Sequence, residues 1–111
     1  MKNIKDDLMR ELAELPTQIE AAEERLIVRH NAVQVAKEVL TNKEDQAILE
    51  GLIDGKNAEI RAAQMRQYTS EARKMVQDAE NGVTKTRVQL TRLNNRMAAL
   101  KAIAGLLKGA D

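Results

Sequence analysis

Residues 58–107 read AEIRAAQMRQYTSEARKMVQDAENGVTKTRVQLTRLNNRMAALKAIAGLL. Small and apolar side chains recur through this stretch at alternating steps of three and four: Ala58, Ala62, Met65, Thr69, Ala72, Val76, Ala79, Val83, Thr86, Leu90, Leu93, Met97, Leu100, Ala104 and Leu107. A mean step of about 3.5 residues is the seam of a coiled coil, since it keeps one stripe of a slightly underwound helix turned toward its partner. Upstream, a second stripe runs through Leu8, Leu12, Leu15, Ile19, Ala22, Leu26, Arg29, Val33, Ala36 and Leu40, and more weakly to Ala47.

Composition agrees with a thin helical architecture. Among 111 residues there is no Phe, Trp or Cys, and Tyr68 is the sole aromatic. A compact globule of this size draws on large aromatics to fill its core, whereas a helix pair needs only a seam of Leu, Val, Met and Ala. Ala, Glu, Lys, Arg, Gln and Leu dominate, all strong helix formers, and no segment alternates with period two over the length of a strand. The expected fold is all-α.

The strongest local break is Asp54-Gly55-Lys56-Asn57, whose residues tolerate positive φ or bond their own backbone. It predicts a single domain over 1–111: one arm over 3–53, a turn at 54–57 and a second arm over 58–108. A long antiparallel hairpin centred on Lys56 pairs residue i with 112−i. Leu12 then faces Leu100, Ile19 faces Leu93, Val33 faces Ala79 and Leu40 faces Ala72, with large residues often opposite small ones. Pro16 predicts a kink or short break in the first arm, because it lacks a backbone donor and clashes one turn back. Thr17 with Glu20, and Thr41 with Glu44, are capping-box patterns. Asn81-Gly82 is a further weak point. Turns near 41–44 and 81–83 would instead give a three-helix bundle, the alternative architecture.

A second apolar stripe, Val28, Ala32, Val35 and Val39, lies off the seam of the first arm. One hairpin cannot bury both stripes. These four residues are therefore the expected oligomer interface, through which two hairpins would pair as a four-helix-bundle dimer.

Net charge is +1, but residues 1–55 hold seven basic and twelve acidic side chains while residues 56–111 hold eleven basic and five acidic. Opposed halves suit antiparallel pairing. The acid-free run from Asn81 to Ala110 also offers Lys85, Arg87, Arg92, Arg96 and Lys101 as candidate contacts to the phosphate backbone of DNA or RNA. Without aromatics, base stacking on single strands is not expected.

Catalysis finds no foothold. His30 is the only histidine and no thiol exists, so zinc ligand sets are lacking. Neighbouring acids such as Glu23 and Glu24 point to different parts of a helix surface. The glycines are dispersed and form no phosphate-cradling loop. Arg29, on the seam opposite Val83, is expected to pack its stem and release its guanidinium to water. Met1–Arg10 is charged where a signal peptide needs an apolar core, and no run approaches about 18 apolar residues. The sequence thus predicts a cytoplasmic, non-enzymatic assembly or adaptor protein that uses no metal or cofactor, spans no membrane, and acts through self-association and protein–protein contacts. Nucleic-acid binding is the alternative function.

Overall fold

The computed structural model describes residues 3–109, of which 91% are helical. Three helices follow in order: α1 (Ile4–Leu49, 46 residues), α2 (Ala58–Tyr68, 11 residues) and α3 (Ser70–Gly109, 40 residues). Asn3 starts α1, its side-chain oxygen accepting the Lys5 N–H at 3.0 Å, and Asp6 and Asp7 in the first turn complement the helix dipole.

The break expected near Pro16 is not there, since α1 is helical on both sides of it. Nor does the chain turn at Thr41–Glu44 or at Asn81-Gly82, so the turns of the three-helix alternative are absent. The seam keeps its phase across all three places, and packing along it outweighs a local weakness in the helix. Asn81 is also tied back by the Gln77 side chain at 3.0 Å.

The first arm ends earlier than Ile53. Gly51 takes φ +71, its N–H bonds Ile48 O at 3.1 Å, and the Leu52 N–H reaches Ala47 O at 3.0 Å. Those two bonds are a Schellman cap, which satisfies carbonyls the helix end would otherwise strand. Asn57 then opens α2, its Oδ1 accepting the Ile60 N–H at 2.9 Å. Between them Gln64 ties the loop: its Oε1 accepts the Gly55 N–H and its Nε2 donates to Asp54 Oδ1, each at 2.9 Å. Gly55 lies so close under Ile60 that a side chain there would collide with it.

The second arm is divided at Thr69. Its Oγ1 donates to Met65 O at 2.7 Å, alongside its own N–H at 2.9 Å, and this doubled demand on one carbonyl accompanies the local loss of regular geometry. Thr69 is nevertheless buried and stays on the seam.

The chain divides into two compact units. The first combines the chain up to Ile27 with the chain from Thr84 onward. In it the two helical segments run antiparallel: Leu8 shares a recess with Ala104 and Leu107, while Gln18 and Arg25 border a groove with Arg96 and Gln89. Its buried residues are Leu15, Ala22, Thr86 and Leu100.

The second unit is Val28–Val83. Its helical segments are also antiparallel, for Arg29 lies against Gly82 whereas Leu40 and Glu44 adjoin residues 62–73. Val33, Ala36, Ala47, Thr69, Ala72 and Val83 are buried there. Among the described residues, all ten buried ones belong to the two stripes read from the sequence.

Candidate functional site: two flanks of the helix pairs

A seam residue has neighbours on either side, and in an antiparallel pair the residues just before seam positions on both helices share one flank. In the first unit that flank carries Gln18 and Arg25 of α1, which precede Ile19 and Leu26, and Gln89 and Arg96 of α3, which precede Leu90 and Met97. With Ala21, Arg92 and Leu93 they line a groove of about 750 Å³. Ala21 and Leu93 are half-buried and form its floor, and the three arginines and two glutamines stand around it.

Arg96 is held at one end of the flank. Its Nε donates to Glu11 Oε1 at 2.6 Å and its Nη2 to Glu11 Oε2 at 2.9 Å. This fork-on-fork geometry holds the Glu11 carboxyl below the usual carboxylate range, through the hydrogen bonds first and the guanidinium charge after them. Arg96 is pushed the other way by the same bonds. Arg25 and Arg92 form no ion pair with the described carboxylates.

The five cations read as a nucleic-acid contact do not share a face. At about 100° per residue, Lys85, Arg92 and Arg96 cluster within a narrow arc of α3, while Arg87 and Lys101 lie roughly opposite. The flank instead gains Arg25 from α1, which is outside the set of cations that the sequence singles out. The available signal was its place just before Leu26, equivalent to that of Arg96 before Met97.

In the second unit the corresponding flank is apolar. Ala32 and Val39 precede Val33 and Leu40, and Val28 and Val35 lie one step further out. Val28 and Val35 are 64% and 59% exposed, Ala32 is exposed and Val39 is half-buried. From the opposing helices Tyr68 and Met75, which precede Thr69 and Val76, fall on the same flank. The opposite flank is polar: Arg66 and Arg73, each just after a seam position, border a groove there with Glu44. Arg29 lays its stem on Gly82, whose missing Cβ would stand 3.3 Å from Arg29 Cδ.

His30 is exposed, and no group of three or more metal-ligating side chains occurs among the described residues. No described helix is long and apolar enough to cross a membrane. No protein-family model matches the chain, and comparison with curated proteins and with solved structures returned no significant match.

Proposed function

We propose that the protein is a non-enzymatic assembly module, a coiled-coil hairpin that pairs with a second copy through the Val28–Val39 flank of its second unit and thereby presents its remaining surface to partners. The observation that carries this reading is the uncovered stripe of Val28, Ala32, Val35 and Val39 beside Tyr68 and Met75. Scattered exposed apolar residues are ordinary on monomers, but a continuous helical stripe rimmed by polar residues marks an interface.

A second copy suits this stripe as its occupant, because an apolar stripe is complementary to itself across a two-fold axis. The buried residues are also mostly Ala, Thr and Val, so a lone helix pair draws little stabilisation from its seam. Pairing along the valine stripe would give each copy a four-helix core.

Sedimentation across a concentration series tests this reading. The wild-type chain is expected to pass from monomer to dimer, and Val35→Glu to remain monomeric while keeping its helical circular dichroism. A wild-type chain that stays monomeric at the highest concentration overturns it.

A further inference from the structure

The groove in the first unit is not needed for assembly through the second, and its chemistry is different. Arg25 and Arg92 stand beside Arg96, Gln18 and Gln89 around a floor of Ala21 and Leu93. We infer that this groove binds an acidic amphipathic helix of a partner protein, its apolar residues seated on Ala21 and Leu93 and its carboxylates bonded to Arg25 and Arg92.

Three observations select that occupant. The first is shape. A valley between two antiparallel helices is where a third helix packs, at an axial distance of about 8–10 Å. From Gln18 to Arg25 the groove follows α1 for about 10 Å, long enough to seat roughly two turns of a helix laid along it.

The second is charge. The guanidiniums of Arg25 and Arg92 have no carboxylate among the described residues, whereas Arg96 shows what such a group donates to on this flank: the forked oxygens of Glu11. Carboxylates spaced along a partner helix would complete the other two in the same bidentate manner.

The third is the floor. Ala21 and Leu93 place apolar surface between the cations. A phosphate backbone gains nothing from that surface, and no aromatic side chain lines the groove to stack a base. An amphipathic helix uses both the floor and the rim.

The test is fluorescence anisotropy with the full chain and a labelled, lactam-stapled peptide of about four turns, leucine on one face and glutamate beside it. Three probes are compared: this peptide, the same peptide with lysine for glutamate, and a labelled DNA duplex. The glutamate peptide is expected to bind, and the lysine peptide not to. Arg25→Glu with Arg92→Glu should weaken binding by about tenfold or more, since both charge pairs are reversed. Both arginines are exposed, so the change leaves the seam intact, and circular dichroism verifies the fold.

Arg87→Glu with Lys101→Glu makes the same change in net charge on the far side of α3 and should leave peptide binding unaltered. Val35→Glu should also leave it unaltered, which separates this site from the assembly reading. Failure of the glutamate peptide to bind overturns the inference. Equal weakening by the far-side pair overturns it as well, by reducing it to net charge. Duplex that binds through Arg25 and Arg92 more tightly than the peptide does assigns the groove to phosphate and overturns it too.

Discussion

Arg96 grips Glu11 with two parallel hydrogen bonds of 2.6 and 2.9 Å between segments 85 residues apart in sequence. The bonds hold the Glu11 carboxyl below the ordinary carboxylate range. A depressed carboxylate stabilises the folded state above its unfolded pKa, and that contribution disappears as pH falls through the lower folded value. Thermal melts from pH 7 down to pH 3 are therefore expected to show part of the acid-dependent loss vanish in Glu11→Gln. The exposed setting keeps the effect modest and salt-sensitive. An unchanged pH slope in Glu11→Gln would show that the pair makes no contribution in solution.

Gly51 controls where α1 stops. With φ +71 and nothing within 4 Å of the place a Cβ would occupy, an alanine there meets backbone strain alone. Gly51→Ala is expected to destabilise by about 1–2 kcal/mol, the usual excess for an L residue in the left-handed region. Gly51→Asn should cost less, since Asn tolerates that region and serves at helix C-caps. Urea titration of the three proteins ranks them, and equal loss in both variants would implicate something other than φ.

The seam was legible because burial in an antiparallel helix pair is written directly into spacing. Leu15, Ala22, Val33, Ala36, Ala72, Val83, Thr86 and Leu100 are buried where the stripes put them. The helix ends were less legible. Asp54-Gly55 is a stronger dipeptide turn signal than Gly51 alone, yet the cap is decided by one positive φ and the two bonds that follow it. The division of the second arm at Thr69 was hidden, since a hydroxyl that doubles back onto Met65 O is indistinguishable in sequence from any other seam threonine. The basic groove was half legible. Arg92 and Arg96 stood out in an acid-free run, but their partnership with Arg25 depends on which residues share a flank across two helices, and charge counting along one helix cannot reveal it.

Pro16 costs α1 a hydrogen bond without ending it. Its ring replaces the donor that would reach Leu12, and the side chain is exposed, so it contributes no seam packing. Pro16→Ala is expected to raise stability by about 1–3 kcal/mol, the upper figure being the full penalty of proline in a helix interior. Denaturant midpoints check this. No gain, or a loss, would mean that the local geometry at Pro16 serves a contact this change removes.

Gly82 and Gly105 are both inside α3, and their surroundings separate two effects of the same substitution. Alanine favours a helix interior over glycine by about 0.8–1 kcal/mol. Around Gly105 a Cβ meets nothing within 4 Å, so Gly105→Ala should gain much of that amount, reduced by fraying near the helix end. Around Gly82 a Cβ would stand 3.3 Å from Arg29 Cδ, 3.7 Å from its Nε and 3.8 Å from its Nη1. Those atoms belong to a long, exposed and flexible side chain, which can move a few tenths of an ångström far more easily than backbone can. Gly82→Ala is accordingly expected to stabilise, by less than the intrinsic preference for alanine. Removing the obstacle with Arg29→Ala should let the double variant recover the remainder, so the two changes will couple positively by a few tenths of a kcal/mol in a double-mutant cycle. A strict sum of the two single effects would show that the Arg29 stem does not rest on Gly82 in solution. A net destabilisation by Gly82→Ala would show instead that the stem is fixed there and that the close approach of the two helices depends on glycine.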